Sequence, residues 1–186
     1  MLIRRVVAAT GADGKARVLS DGVAPRHAEF ETLPGFATAL LWSTPASPRV
    51  EAGLDVADRT MADGFVPDAG ASRLMMVTFP PDAVMARADF DAAAFGAEFA
   101  RRVPGLAEAF ERDHPGMHAT DSIDYDVVLD GEMTLELDDG RQVVLRRHEV
   151  AVQHGNRHAW RNLSGRPATM LFVLLGAARA GDGNRG

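Results

Sequence analysis

The sequence predicts a single all-β domain, a barrel or sandwich built from short antiparallel strands. From about residue 122 to residue 175 the chain is a nearly continuous series of short strands and tight turns, two of them containing Asp-Gly or Asp-Asp-Gly. The chain has 186 residues, of which 46% are hydrophobic and 25% charged, as in an ordinary globular domain. One packed domain is therefore expected.

The first half is predicted to add strands and one long loop. Runs rich in Val, Ile, Leu and aromatic residues between turn residues predict strands at 3–7, 17–19, 37–42 and 74–79. Residues 43–72 contain several prolines and glycines without a sustained period, which predicts a long surface loop. Loops of this length are uncommon unless they are functional or mobile.

Two helices are predicted before the strand-rich half. Asp91 is a good N-cap, and Phe95, Phe99 and Val103 follow at helical spacing on one face. Pro104 is predicted to start a second helix. Both apolar faces are expected to pack on the barrel and to carry no chemistry.

The second half is predicted to consist of hairpins. Strands are expected at 123–129, 133–137, 142–145, 150–153, 158–162 and 169–175, with turns at 130–131 and 138–140. We expect the domain to comprise an N-terminal extension at 1–112, a barrel core at 113–178 and a disordered tail at 179–186.

The charge pattern narrows the partners. The net charge is −6 and no basic stripe is present, so neither nucleic acid nor an anionic membrane is an expected partner. No apolar stretch is long enough to cross a bilayer, and the apolar part of the N-terminus is too short for a signal peptide, which predicts a cytoplasmic protein. Because the sequence has no Cys, any metal must be bound by His and carboxylates.

Two segments combine polar residues on one face of an extended chain. Strand side chains alternate between faces, so each segment aligns short polar or ring side chains. The two sets are His118, Thr120, Ser122, Asp124 and Asp126, and then Asn156, His158, Trp160 and Asn162. Because neither set contains the Lys, Glu or Arg typical of a solvated face, both predict an enclosed polar interior.

The first of these segments resembles the first motif of the cupin superfamily. Gly131 stands at the closing glycine of that motif, Asp124 at its Glu and His118 at its first His. Thr120 occupies the place of the second His.

The second segment resembles the second cupin motif. Gly155, His158 and Asn162 are in register with it, whereas His148 and Gln153 stand where the family has Gly and Pro. The resemblance spans residues 116–162. It implies a double-stranded antiparallel β-barrel of the jelly-roll type.

The resemblance also implies a metal site with His118, Asp124 and His158 as ligands. Two imidazoles and one carboxylate suit a divalent ion such as Fe, Mn or Zn and leave positions open for substrate or water. In the alternative, Asp124 and a nearby His act as general base and acid without a metal. His114 and His154 are further candidates for a nitrogen ligand or proton shuttle.

The predicted function is a metal-dependent enzyme acting on a small organic acid or polyketide-like substrate. The reaction would be isomerisation, dehydration, decarboxylation or Fe(II)-dependent oxygenation, with Asp124 and His158 catalytic. Thr120, Trp160 and Asn162 are expected to contact the substrate. The alternative is a non-catalytic barrel that binds or senses a small molecule. A homodimer is expected, because exposed sheet edges need covering.

Overall fold

Antiparallel strands are the main regular structure of the computed structural model, which describes residues 2–50, 53 and 55–180. The strands are β1 (Arg4–Thr10), β2 (Ala16–Val23), β3 (Arg26–Glu29), β4 (Ala37–Thr44), β5 (Ser72–Phe79), β6 (Ser122–Asp130), β7 (Glu132–Glu136), β8 (Gln142–Arg146), β9 (Val150–His154), β10 (Ala159–Arg161) and β11 (Ala168–Gly176). The α-helix is α1 (Ala92–Arg102), and short 3₁₀ turns lie at Asp82–Val84, Ala107–Ala109 and Asp138–Gly140.

The described strands form two facing sheets and a separate hairpin. The large sheet has the order β3-β4-β5-β11-β6-β9, and the small sheet has the order β10-β7-β8. The strands β1 and β2 pair as a hairpin of their own. The predicted all-β, jelly-roll type of fold is confirmed.

The main core lies between the two sheets. Met133, Leu135 and Leu145 of the small sheet pack in one cluster with Met170 and Phe172 of the large sheet. Burial of such side chains is the main stabilising term in a domain of this size.

Gly131 closes the turn between β6 and β7. Its φ is +83°, and an added Cβ would lie 2.7 Å from the Ala168 Cα. Only glycine fits this turn without displacing β11.

Helix α1 forms as predicted. Asp91 caps it, accepting a hydrogen bond of 2.9 Å from the Ala94 N–H. Phe95 and Phe99 pack on Phe30, with ring centroids 5.9 Å apart in both pairs.

The predicted second α-helix is wrong. Only a 3₁₀ turn forms, at Ala107–Ala109. Gly105 takes a φ of +88°, which breaks the helical path after Pro104. Phe110 is then extended and forms a β-bridge with His118.

The strand bounds in the first half also differ from the prediction. The strands β1, β2, β4 and β5 extend beyond the predicted ranges, and β3 was not predicted. The strand β3 pairs with β4 at the edge of the large sheet, and only four residues mark it in the sequence.

The described part of the long segment between β4 and β5 is irregular, as predicted, but some of its residues are buried. Thr60 and Phe65 are 0% and 1% exposed. Arg26 stacks over the Phe65 ring at 4.6 Å and donates hydrogen bonds to the carbonyls of Thr60 and Asp63. Arg73 donates to the Gly64 carbonyl at 2.7 Å. Buried arginine contacts therefore fold this segment onto the barrel.

Arg179 is anchored, although the prediction places it in the tail. Its guanidinium bonds to Asp121 at 2.5 Å and to the Gly155 carbonyl at 3.1 Å. Residues 181–186 of the predicted tail lie outside the described residues. In the part of the chain that the structure describes, no helix is long and apolar enough to span a membrane.

Candidate functional site

The polar face of β6 is an interior face. Ser122, Asp124 and Asp126 are at most 5% exposed, whereas Tyr125 between them is 43% exposed. Asp126 lies directly opposite Phe172 of β11, so both side chains point into the space between the sheets. The predicted alternation therefore places two carboxyl groups inside the barrel.

His118 and His158 form a pair on the other side of this interior. Their backbones exchange two hydrogen bonds of 2.9 Å, which sets the side chains directly opposite each other. The ring centroids are 4.3 Å apart, and Phe110 stacks on the outer side of His118 at 4.4 Å. The two motif histidines, distant in sequence, thus meet as predicted.

The tautomer of each histidine follows from its neighbours. Nδ1 of His118 faces the Gly116 carbonyl at 3.2 Å, and Nδ1 of His158 faces the Asn156 carbonyl at 3.0 Å. A carbonyl only accepts, so Nδ1 carries the proton in both rings and Nε2 keeps its lone pair.

A chain of hydrogen bonds links Asp126 to His158. Gln153 donates through Nε2 to Asp126 Oδ2 at 2.7 Å, and Asn156 donates through Nδ2 to Gln153 Oε1 at 3.1 Å. The Asn156 carbonyl in turn accepts from His158 Nδ1. The carboxyl and the imidazole are therefore held by one network.

Hydroxyl groups hold the second carboxyl. The Thr120 and Ser122 hydroxyls are 2.9 Å apart, and Ser122 is hydrogen-bonded to Asp124. Thr120 therefore reaches Asp124 through Ser122. This places the residue that stands at the second motif histidine within the polar interior.

Burial shifts the protonation of these groups toward their neutral forms. Burial, with a smaller contribution from Asp124, raises the pKa of Asp126 to about 7 against one hydrogen bond from Gln153. Burial also raises the pKa of Asp124. Burial and then the neighbouring His158 lower the pKa of His118 to about 4, and burial lowers the pKa of His158.

Three buried polar atoms of the described residues lack a hydrogen-bond partner. They are Asp124 Oδ1, Asp126 Oδ1 and Trp160 Nε1. An unpaired buried polar atom costs about 1–3 kcal/mol, so such atoms are rare in native structures. All three belong to the polar interior.

Trp160 places its ring within the same interior. Its ring centroid lies 6.3 Å from that of His158 and 6.1 Å from that of Phe172, both in edge-on geometry. Because Phe172 is the cross-strand neighbour of Asp126, the indole faces the space that the carboxyls face.

A surface groove reaches this interior from the side. Its volume is about 310 Å³, and it is lined by Leu135, Leu137, Asp138, Val152, Gln153, Asn156 and Arg157. Gln153 and Asn156 belong to the network described above, so the groove is the natural approach to Asp126. Another groove, of about 380 Å³, is lined by His114 and Arg161 among others, and it contains none of His118, Asp124 and His158.

Comparisons with known proteins are informative over part of the chain. No protein-family model matches. The Phomopsin biosynthesis cluster protein C' of Diaporthe leptostromiformis is 55% identical over 62 residues, 33% of each chain. The cupin-domain-containing oxidoreductase virC of Hypocrea virens is 40% identical over 62 residues, 32% of each chain. The resemblance of this chain to cupin-domain proteins is confirmed over these segments. The matched segments span about a third of the length of these relatives.

One solved structure is similar to this chain at a lower sequence identity. It is an RmlC-like cupin protein with a double-stranded β-helix fold from Methanocaldococcus jannaschii. The two chains are 12% identical, with 56% of this chain and 70% of that chain covered and a TM-score of 0.37.

The metal set implied by the motifs does not assemble in this structure. Among the described residues no group of three His, Asp or Glu side chains is placed to hold a metal ion. His118 and His158 meet, but Asp124 is bound to Ser122 on the facing sheet. Catalytic metal sites commonly use three protein ligands, and the two imidazoles provide only two. The donor set therefore does not fit a resident metal ion.

Asn162 has no free polar group for a substrate. Its Nδ2 donates to the carbonyls of Phe79 and Arg166, and its Oδ1 accepts from the backbone and hydroxyl of Ser164. These four bonds use its donors and acceptors fully. Asn162 thus stabilises the turn after β10, and we leave it out of the proposed site.

The two alternative histidines lie on the surface. His114 is exposed and 3.2 Å from the Glu111 carboxylate, and His154 is exposed.

Asp126 and Gln153 are the site residues that the sequence did not single out for a role. Asp126 was recognised only as a member of the polar face of β6. Gln153 is a polar residue that follows three apolar residues in β9, and this change of character is the sequence signal for it. Its partner Asp126 becomes visible only when the register of β6 and β9 is known.

Proposed function

We propose that this protein is an enzyme that transfers a proton on a small organic substrate inside the barrel, as an isomerase or dehydratase does. One observation supports this most directly. Two buried carboxyl groups with unpartnered oxygens share an interior with two imidazoles that keep a free Nε2 lone pair. Pairs of titratable groups with displaced pKa values are the usual acids and bases of such reactions.

Asp126 is the proposed base. With a pKa of about 7 it is partly ionised at neutral pH, where a base is most effective. Its Oδ1 would take a proton from an acidic C–H of the substrate, while its Oδ2 stays fixed by Gln153. The substrate oxygen that gains negative charge would accept a hydrogen bond from Trp160 Nε1–H. The proton would then return from Asp126 to a different substrate atom.

The names of the relatives support action on a small molecule. Some are named cupin-domain-containing oxidoreductases, and others are named as proteins of the phomopsin or oryzines biosynthesis clusters. For this chain, a role in the conversion of a biosynthetic intermediate is part of the proposal.

A non-catalytic binding barrel is the second candidate. The adjacent rings of Phe110, His118 and His158 favour it, because aromatic side chains can bind a flat molecule without any chemistry. In that case the carboxyls would only hold the ligand. The metal-dependent version, with Fe, Mn or Zn at His118, Asp124 and His158, would need Asp124 to leave Ser122.

Exchange of carbon-bound hydrogen tests the proposal without knowledge of the natural substrate. The protein is incubated in D₂O with a set of enolisable carbonyl compounds, including 2-tetralone, cyclohexanone and pyruvate, and loss of the α-proton signal is followed by NMR. We expect exchange of at least one compound above the buffer rate. Asp126→Asn should reduce that exchange at least roughly 100-fold, because it removes the base.

Asp130→Asn is the matched control, since Asp130 is an exposed carboxylate on the same strand. It should leave the rate unchanged. Binding of a compound without exchange in the wild-type protein would favour the non-catalytic barrel. Equal exchange in the wild type and Asp126→Asn would rule out Asp126 as the base.

A further inference from the structure

The polar interior contains no free cation among the described residues. Its polar side chains are carboxyls, imidazoles, hydroxyls, amides and an indole. Arg26 and Arg73 both lie on the inner face of the large sheet. Arg26 donates to the carbonyls of Thr60 and Asp63 and stacks over the Phe65 ring, so its donors are used within the segment between β4 and β5. Arg73 is 5% exposed. Its guanidinium donates to the carbonyls of Gly64 and Ser72 and lies 3.5 Å from Asp63, so its charge is already paired.

The imidazoles do not replace the missing cation. Their rings lie 4.3 Å apart, so two positive charges there would repel each other strongly. Each Nδ1–H is used by a backbone carbonyl, which leaves an acceptor at each Nε2. A carboxylate or phosphate entering this interior would therefore meet acceptors and carboxyl groups without a cation.

The unpartnered atoms define what a ligand must offer. Asp124 Oδ1 and Asp126 Oδ1 need a donor, and Trp160 Nε1–H needs an acceptor. One molecule with a hydroxyl or amide N–H and a carbonyl oxygen satisfies both needs. Burying an anion without a counter-charge is expensive, whereas a neutral group that completes these bonds is not.

The aromatic side chains of the interior indicate the shape of the ligand. The ring contacts of the interior run without a break from Phe110 through His118, His158 and Trp160 to Phe172. Flat molecules pack well on such a row.

We infer that the substrate is a neutral, flat molecule that carries both a hydroxyl or amide donor and a carbonyl acceptor. This inference rests on the proposed function for the location of the site and replaces the small organic acid expected from the sequence. Cyclic amides, phenolic ketones and enolised diketones belong to this class. An organic acid would enter only in its protonated form.

The indole N–H signal of Trp160 provides the test. The chain has two tryptophans, Trp42 and Trp160, so the ¹H–¹⁵N spectrum of the whole protein has two indole signals that Trp160→Phe assigns. Trp42 lies under Arg5 and outside the polar interior, and it serves as an internal control. The isosteric probes are benzamide, which is neutral, and benzoate, which is an anion.

Benzamide should shift the Trp160 signal and bind at least roughly tenfold more tightly than benzoate at pH 7. Benzoate affinity should fall at least roughly tenfold for each pH unit from 6 to 8, because only benzoic acid enters, while benzamide affinity should change much less. Equal affinity of the two probes, benzoate binding that does not depend on pH, or no Trp160 shift with benzamide would each overturn the inference.

Asp124→Asn should lower the ratio of benzamide affinity to benzoate affinity, because it removes one carboxyl group that disfavours the benzoate anion. Asp130→Asn, on the exposed face of the same strand, should leave the ratio unchanged. The outcome is separate from that of the proposed function. If anionic pyruvate alone exchanged, the proposed enzyme would stand and the inference of a neutral substrate would be wrong. If benzamide bound and no compound exchanged, the inference of a neutral ligand would stand and the proposed enzyme would be wrong.

Discussion

Removing the Asp126 carboxyl should stabilise this protein at neutral pH. The carboxyl is 0% exposed, and burial raises its pKa from 3.8 to about 7. The folded state therefore binds this proton more tightly than the unfolded state. Each pH unit between the two pKa values lowers the free energy of unfolding by about 1.4 kcal/mol, and the loss is complete above pH 7.

The magnitude follows from the size of the shift. A difference of about three pH units corresponds to about 4 kcal/mol at pH 7 and above, and to almost nothing near pH 3.8. Asp126→Asn keeps the shape and the bond from Gln153 but cannot ionise. The variant should match the wild type within about 1 kcal/mol at pH 4 and exceed it by up to about 4 kcal/mol at pH 8.

Urea unfolding followed by tryptophan fluorescence at pH 4, 5.5, 7 and 8.5 measures this difference. Other titrating groups such as His118 are present in both proteins and cancel in the comparison. Asp130→Asn should show no such trend, because its carboxyl is exposed. A difference between Asp126→Asn and the wild type that stays constant over this pH range would refute the reasoning.

Three further predictions follow from the same interior. Because the pKa of His118 is lowered to about 4, the free energy of unfolding of the wild type should fall as the pH falls from 6.5 to 4. In urea unfolding, His118→Gln should lose about 3 kcal/mol less over this range. An equal loss in both proteins would argue against a buried neutral imidazole. Asn162→Asp should lower the free energy of unfolding by about 2–3 kcal/mol, because two carbonyls lose their donors, and an unchanged melting temperature would contradict that structural role. Elemental analysis of protein purified without chelator should find clearly less than one metal ion per chain, and the same amount in His158→Ala. One metal ion per chain in the wild type that is lost in His158→Ala would instead support the three-ligand metal site.

The sequence predicted the inward-facing side chains of β6, because strand alternation and the following turn decide where they point. Asp124 and Asp126 point inward because β6 alternates regularly after His118 and before the Gly131 turn. The meeting of His118 with His158 was implied by the motif resemblance, and the residues between them gave no local signal of it.

The sequence could not predict features that depend on distant contacts. Nothing in the sequence marks Arg26 and Arg73 as buried, yet they bind carbonyls of the segment between β4 and β5. Asn162 sits in register with the motif, and its structural role appears only when Phe79 is brought beside it. The metal prediction depended on Asp124 reaching the histidines, and the strand register places it elsewhere. The homodimer and the domain boundaries stay predictions.

The pH dependence of catalysed hydrogen exchange tests the central claim most directly. With 2-tetralone in D₂O, the wild-type rate should rise with pH along a single titration with an apparent pKa of about 7, and Asp126→Asn should remain at the buffer rate at every pH. Catalysed exchange that persists in Asp126→Asn with the same pH profile would contradict the account.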